Sequence, residues 1–214
     1  MVRMESKIKD IVENLPSWIN RFKQDGYRGG PSLYFYQKVV EQRREKPLDV
    51  LLVKGGLFIE RMYATLASWD MNTRSARMKD FDDFEHSLLN NKKQLSSLAS
   101  FQIDTIPGEA AAGVKRSLGD LYDELELMKS GGRLVANSKA LHFLLPNLVM
   151  PMDRNNILRF FFNNTTESKN KFLKIFDCTC EVAKRVDLKS YFDHRWNLTI
   201  TKVIDNAIIG IGMK

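Results

Sequence analysis

An all-α fold of about ten helices is expected from this sequence, and three observations lead to it. Apolar residues recur at steps of three and four along most of the chain, the mark of one buried helix face. No segment alternates apolar and polar residues for long enough to make a strand. Prolines and glycines fall where helices start and stop. The 214 residues, 43% hydrophobic and 28% charged, have globular composition and can bury a real core, as one domain or as two small lobes.

The elements follow in order. Residues 4–24 place Ile8, Ile11, Val12, Leu15, Ile19 and Phe22 on one helical face, and Pro16 is expected to end or kink that helix. DGYRGGP breaks the chain. Pro31 then suits a first helical turn, SLYFYQKVVEQRRE continues as a helix with a basic end, and Pro47 stops it. Residues 49–68 read as an apolar helix with Gly55 and Gly56 in its middle, so backbones pack closely there or the helix is broken. Residues 80–101 are helical, with a break near Asn90 and Asn91. Pro107 opens a helix whose buried face is Val114, Leu118, Leu121, Leu125 and Met128, and Gly131 and Gly132 end it. Its later part carries Asp120, Asp123, Glu124 and Glu126, charges that oppose a helix C-terminus. Helices are also expected at about 154–163 and 167–186, with a last one in TITKVIDNAIIGIG.

The net charge of +7 is modest for this length. It is concentrated at the ends: residues 1–50 carry 10 Lys and Arg against 7 Asp and Glu, and residues 151–214 carry 11 against 7. If the ends pack together they make one basic lobe. The expected division is a central lobe over about residues 30–130 and a basic terminal lobe of 1–30 with 131–214. Cys178 and Cys180 sit two apart, roughly 200° around a helix, and cannot bridge each other. Two cysteines without a framework, no apolar leader at the first residues and no run near the ~18 apolar residues of a span suggest an intracellular, cytoplasmic chain that does not enter a membrane.

Several chemistries have no motif here. There is no phosphate-cradling glycine loop and no G-x-S-x-G. His86, His142 and His194 are far apart in sequence, and no Cys/His cluster has zinc spacing, so neither metal nor cofactor is expected. The aromatic runs SLYFYQ and LRFFFNN read as core at helical spacing.

One stretch is different. LVANSKALHFLLPNLVMPMDR, residues 134–154, places a lysine at the head of an apolar helical run and a Pro-x-Asp after a short turn. Asn137 is a good N-cap, so a helix is expected to begin at Ser138 with Lys139 in its first turn. The positive end of the helix dipole and burial both favour the neutral amine there, and a neutral lysine is a nucleophile able to form a Schiff base. His142 follows at i+3 on the same side. Asp153 reads as the N-cap of the helix RNNILRFF, which would hold its carboxylate in a fixed place.

These residues resemble the active-site region of the helix-hairpin-helix DNA glycosylases, the endonuclease III-like superfamily. The matching positions are Val135-Ala136-Asn137-Ser138-Lys139-Ala140 and Pro151-Met152-Asp153. The resemblance covers about residues 134–159. It implies two helical lobes around a cleft, with a flipped-out base between them. It also implies catalytic residues: Lys139 attacking the anomeric carbon of deoxyribose, and Asp153 stabilising the oxocarbenium-like charge or helping to activate the nucleophile. DNA is the implied partner, with Asn137, Ser138, Arg154, Lys169, Lys171 and Lys174 as candidate nucleic-acid contacts. The chain departs from the pattern where Val135 and Asn137 stand in place of hairpin glycines, in a Lys–Asp interval of 14 residues, and in Arg154-Asn155 after the aspartate. The alternative is a non-catalytic helical module. It would bind nucleic acid through Arg43, Arg44, Lys169, Lys171, Lys174, Lys184 and Arg185, or would dock another protein.

Overall fold

The computed structural model describes residues 2–24, 29–73 and 76–213, with the side chains of 2 and 3 left aside. Part of the DGYRGGP break and of the polar connection after Trp69 lies outside the described residues. Eleven α-helices follow one another: α1 Val2–Gln24, α2 Gly30–Glu45, α3 Leu48–Leu51, α4 Leu57–Leu66, α5 Phe81–Asn90, α6 Lys92–Leu98, α7 Gly108–Glu124, α8 Leu134–Leu144, α9 Arg159–Phe162, α10 Lys169–Arg185 and α11 Ile200–Gly212. A π turn, Ala67–Met71, prolongs α4, and another, Arg154–Leu158, leads into α9. The described residues contain no strand, only an isolated bridge between Met78 and Met128. Among the described residues no helix is long and apolar enough to cross a membrane.

The centre of the fold is α11, in which every residue from Ile200 to Gly210 is buried. A helix apolar on all sides must be surrounded. Around it pack α1, α10, the Arg154–Leu158 turn and Leu188–Tyr191. The two ends of the chain therefore do meet, through α1 and α11. Their approach is so close at Gly210 that a Cβ there would lie 2.1 Å from the carbonyl oxygen of Trp18. A second group, α2, α4 and α8, packs together beside it, and the buried apolar side chains of the whole chain form one continuous cluster.

Three local expectations are corrected, and the alternative left open at Gly55 and Gly56 is decided. Pro16 neither ends nor kinks α1 enough to divide it. It sits on the exposed face, where water can satisfy the carbonyl its ring leaves unbonded, while Ile11, Leu15 and Ile19 carry the buried stripe past it. The 49–68 helix is broken at its glycines: Gly55 has φ +66°, and its N–H donates to Glu85 Oε1 at 2.8 Å. The helix opened by Pro107 stops at Glu124 instead of running to Gly131. Beyond its acid-loaded end the chain straightens, with Leu127 and Lys129 bonding backbone to backbone with Lys79 and Arg77. Finally, α8 starts at Leu134, four residues before Ser138.

Candidate active site

The early start of α8 changes the role of three residues. Its first N–H groups are taken by Glu167, whose Oε2 accepts from Leu134 at 2.7 Å and Val135 at 3.4 Å. Asn137 is therefore no N-cap. It is buried inside the helix and its amide donates to the carbonyls of Tyr122 and Leu125, both at 3.1 Å. Those carbonyls are orphans at the end of α7, so Asn137 caps the helix before its own. Ser138 is fully buried; its hydroxyl donates to Val135 O and accepts the N–H of Met152, each at 3.1 Å. Neither side chain is on the surface. The nucleic-acid contacts expected of Asn137 and Ser138 are corrected accordingly: burial and internal hydrogen bonds occupy both.

The Ser138–Met152 bond joins α8 to the Pro151-Met152-Asp153 segment and so brings Lys139 and Asp153 onto the lining of one cavity. Both line one cavity of about 1030 Å³, at the upper end of the roughly 300–1,000 Å³ typical of ligand pockets. Its walls come from the turn after α4, from α8, from residues 151–156 and from α11.

Lys139 lies in the second turn of α8, four residues past Val135, the second of the two N–H groups that Glu167 binds. Its Nζ donates to the Trp69 carbonyl at 3.1 Å and stands 5.8 Å from the centre of the Trp69 ring. Part of the side chain opens to the cavity, but protein packs densely round the amine. Burial pulls its pKa down to about 8, against the opposing pull of the Asp153 and Asp205 carboxylates, with the Lys202 ammonium adding to the fall. The Trp69 carbonyl is aimed by an unusual turn: Asp70 takes a left-handed conformation, φ 61°. A strained non-glycine residue on a cavity wall is a feature of functional sites.

Asp153 is the N-cap read from the sequence. One carboxylate oxygen accepts the Asn156 N–H at 2.6 Å and the other accepts from the Asn156 amide at 2.8 Å. The carboxylate is only half-buried and keeps a place on the cavity wall. Arg154, exposed at the same wall, is bound to Glu167 Oε1 at 2.6 Å.

The floor holds residues for which no role is read from the sequence. Lys202 and Asp205, on successive turns of α11, form an ion pair with side chains 6% and 5% exposed. Lys202 Nζ sits 5.5 Å from the Trp69 ring and 5.4 Å from that of Trp196. The signal was present in TITKVIDNAIIGIG: a Lys and an Asp at i, i+3 in a largely apolar helix have nowhere to go but inward, together. Trp69 and Trp196 carry no such signal, since only the fold brings residues so far apart onto one wall.

His142, on the same helix as Lys139, does not line the cavity. It is enclosed behind it, stacked with Tyr36, its Nδ1–H donating to Val149 O at 3.0 Å and to Thr201 Oγ1 at 3.1 Å. Burial drives its pKa to about 3, so it stays neutral. Among the basic candidates, Lys169 is bound to Asp123, Lys171 to Asn164 and Thr166, and Arg185 to Glu5 and Glu181. Arg43 and Arg44 donate to the carbonyls of Leu144 and Leu198. Lys174 and Lys184 are exposed on α10. Among the described residues no group of three or more His, Cys, Asp or Glu is placed to hold a metal ion.

The geometry defines a class: an all-helical protein with a partly neutral lysine and a fixed carboxylate on the wall of one large cavity. Comparison of the chain with protein-family models, with curated proteins and with solved structures finds no match.

Proposed function

We propose that this protein is a base-excision DNA glycosylase with lyase activity, in which Lys139 is the nucleophile and Asp153 the stabilising carboxylate. The observation that carries the reading is the Lys139 amine on the cavity wall, with its pKa drawn down to about 8 and a carboxylate from the next element on the same lining. A lysine so placed is costly to a fold and is useful only if its lone pair is used. The net charge of +7 and the exposed Lys174 and Lys184 favour a polyanionic partner, and Arg154 lies where a phosphate could take it from Glu167.

The chemistry is as follows. The neutral amine attacks C1′ of a flipped-out nucleotide. The N–C1′ bond forms as the glycosidic bond breaks, and the base leaves with the bonding electrons and takes up a proton. The charge that builds on the sugar in between is met by Asp153. The ring oxygen then leaves C1′ with the bonding electrons and takes up a proton, giving a protonated imine between Lys139 and the opened sugar; loss of a C2′ proton then forms the C2′–C3′ double bond and expels the 3′ phosphate. Lys202, the other amine in the cavity, is ion-paired with Asp205, which leaves Lys139 the better nucleophile. Binding by the basic termini alone has less support, because five of its seven candidate cations are engaged within the protein.

Borohydride trapping is the test. Incubated with abasic or damaged duplex DNA and borohydride, the protein should form a covalent adduct, reduced at the imine, that Lys139→Met abolishes. No Lys139-dependent adduct on abasic DNA or across a panel of lesions overturns the assignment.

A further inference from the structure

The reaction proposed above uses Lys139 and Asp153, and leaves the floor of the cavity unexplained. There Lys202 and Asp205 form an ion pair inside a helix whose residues from Ile200 to Gly210 are all buried. Such a pair is a poor device for stability. Taking two charges out of water costs several kcal/mol per ion, and apolar residues of the same volume commonly hold a fold as well or better. This one also faces the cavity rather than solid core, with Trp69 and Trp196 beside it. Trp69 is partly exposed and lines the cavity next to the pair.

A lysine ammonium has three N–H donors and no acceptor, and a carboxylate accepts through two oxygens. Held side by side, they present a donor next to an acceptor. The complementary edge is a carbonyl oxygen next to a ring N–H, the lactam edge of uracil, hypoxanthine and 8-oxoguanine. Adenine and cytosine carry an amino group where the carbonyl would be. A base with a methylated, positively charged ring would be repelled by Lys202, which already stands over both indole faces.

We propose that Lys202, Asp205 and Trp69 form the base-reading floor of the cavity, selecting a flat heterocycle with a lactam edge. The class it takes is thus the neutral lactam bases, uracil, hypoxanthine and 8-oxoguanine together with guanine and thymine, while adenine, cytosine and the cationic alkylated bases are excluded. This rests on the glycosylase reading for its biological sense, but the floor can be tested apart from Lys139.

Two measurements separate them. The first compares the wild type with the double variant Lys202→Met/Asp205→Leu, which replaces the pair by apolar side chains of similar volume, on duplexes containing hypoxanthine, uracil, 8-oxoguanine, 7-methylguanine or an abasic site. The variant is expected to lose excision of the lactam bases by about a hundredfold or more, since a polar site that has lost its partners discriminates strongly. On the abasic duplex, which carries no base to read, its borohydride adduct should fall far less, and the contrast between the two substrates is the readout. Unchanged excision of the lactam bases by the variant, or wild-type excision of 7-methylguanine in preference to them, overturns the proposal. The second titrates free uracil, hypoxanthine and 7-methylguanine into each protein and follows tryptophan fluorescence. Saturable quenching by the first two in the wild type, lost in the double variant, supports the floor even if no adduct forms and the lyase reading falls. No quenching by either lactam base overturns the floor even if abasic DNA is trapped. A second variant, Asp205→Asn, keeps the shape and removes the charge. Its retained quenching by lactam bases would equally count against the carboxylate's part.

Discussion

The hydroxyl of Ser138 accepts the backbone N–H of Met152 at 3.1 Å. Each partner is the chain neighbour of a candidate catalytic residue, so this one buried bond ties the helix bearing Lys139 to the turn bearing Asp153. Replacing Ser138 by alanine leaves the Met152 N–H without its partner in a dry place, at a cost of about 1–3 kcal/mol. The Ser138→Ala variant should unfold at lower urea and form the borohydride adduct more slowly, because its two reacting groups lose their common anchor. A variant that loses stability but traps at the wild-type rate would separate the anchor from the chemistry.

The trapping rate should follow the ionisation of Lys139. With its pKa at about 8, the neutral fraction rises tenfold per unit of pH below that value and levels off above it. Single-turnover trapping on abasic DNA measured from pH 6 to 9.5 should show that slope and that plateau. A rate still climbing tenfold per unit up to pH 9.5 would mean that the amine behaves as an ordinary lysine.

Asp153 has two jobs that substitution can pull apart. As N-cap it accepts the Asn156 N–H at 2.6 Å, and asparagine caps nearly as well as aspartate. Asp153→Asn should therefore hold its stability to within about 0.5 kcal/mol, while Asp153→Ala loses about 1 kcal/mol. Both should lose most of the excision rate, since both lack the charge facing the sugar. Equal excision by Asp153→Asn and wild type would leave the residue a cap and nothing more.

Gly210 makes the least forgiving contact in the fold. A Cβ added there lies 2.1 Å from the Trp18 carbonyl oxygen, far inside contact distance and against backbone on both sides. Gly210→Ala must push α1 away from α11, and the loss should exceed about 3 kcal/mol in urea denaturation. Gly113, whose Cβ would meet nothing within 4 Å, is the control: it sits inside α7, and alanine there should be neutral or stabilising.

These elements also mark what is legible in the sequence. The helices that pack by one apolar stripe, α1 and α10, follow from spacing alone. So does Asp153 as a cap, because capping is local chemistry. The end of α7 is not legible, since its acidic tail yields to an amide from Asn137 and to backbone bonds with Arg77 and Lys79, all distant in sequence. The start of α8 is missed for the same reason. Asn137 looks like its cap, whereas the cap in fact comes from Glu167. Lys139 and Asp153 are found because they lie in one short stretch. Trp69, Asp70, Lys202 and Asp205 complete the cavity from two other parts of the chain, and only the polar pair inside α11 leaves a trace in the sequence.

Lys139 should cost the protein stability at neutral pH. Its amine has an ordinary pKa of 10.5 in the unfolded chain and about 8 in the folded one. Below pH 8 both states carry the proton, and the folded state bears the whole penalty of burying it. Between about 8 and 10.5 the unfolded chain binds more protons than the folded one, so stability rises with pH as the penalty is relieved. Methionine has nearly the same length and no charge. At pH 7 Lys139→Met should therefore be more stable than wild type, by about 1–3 kcal/mol once the opening to the cavity and the lost bond to Trp69 are allowed for. Urea denaturation of both proteins at pH 7 and pH 10 should show that gap closing as the pH rises. A wild type more stable than the variant at pH 7, by an amount that pH does not change, would mean that the amine is solvated and no nucleophile at all.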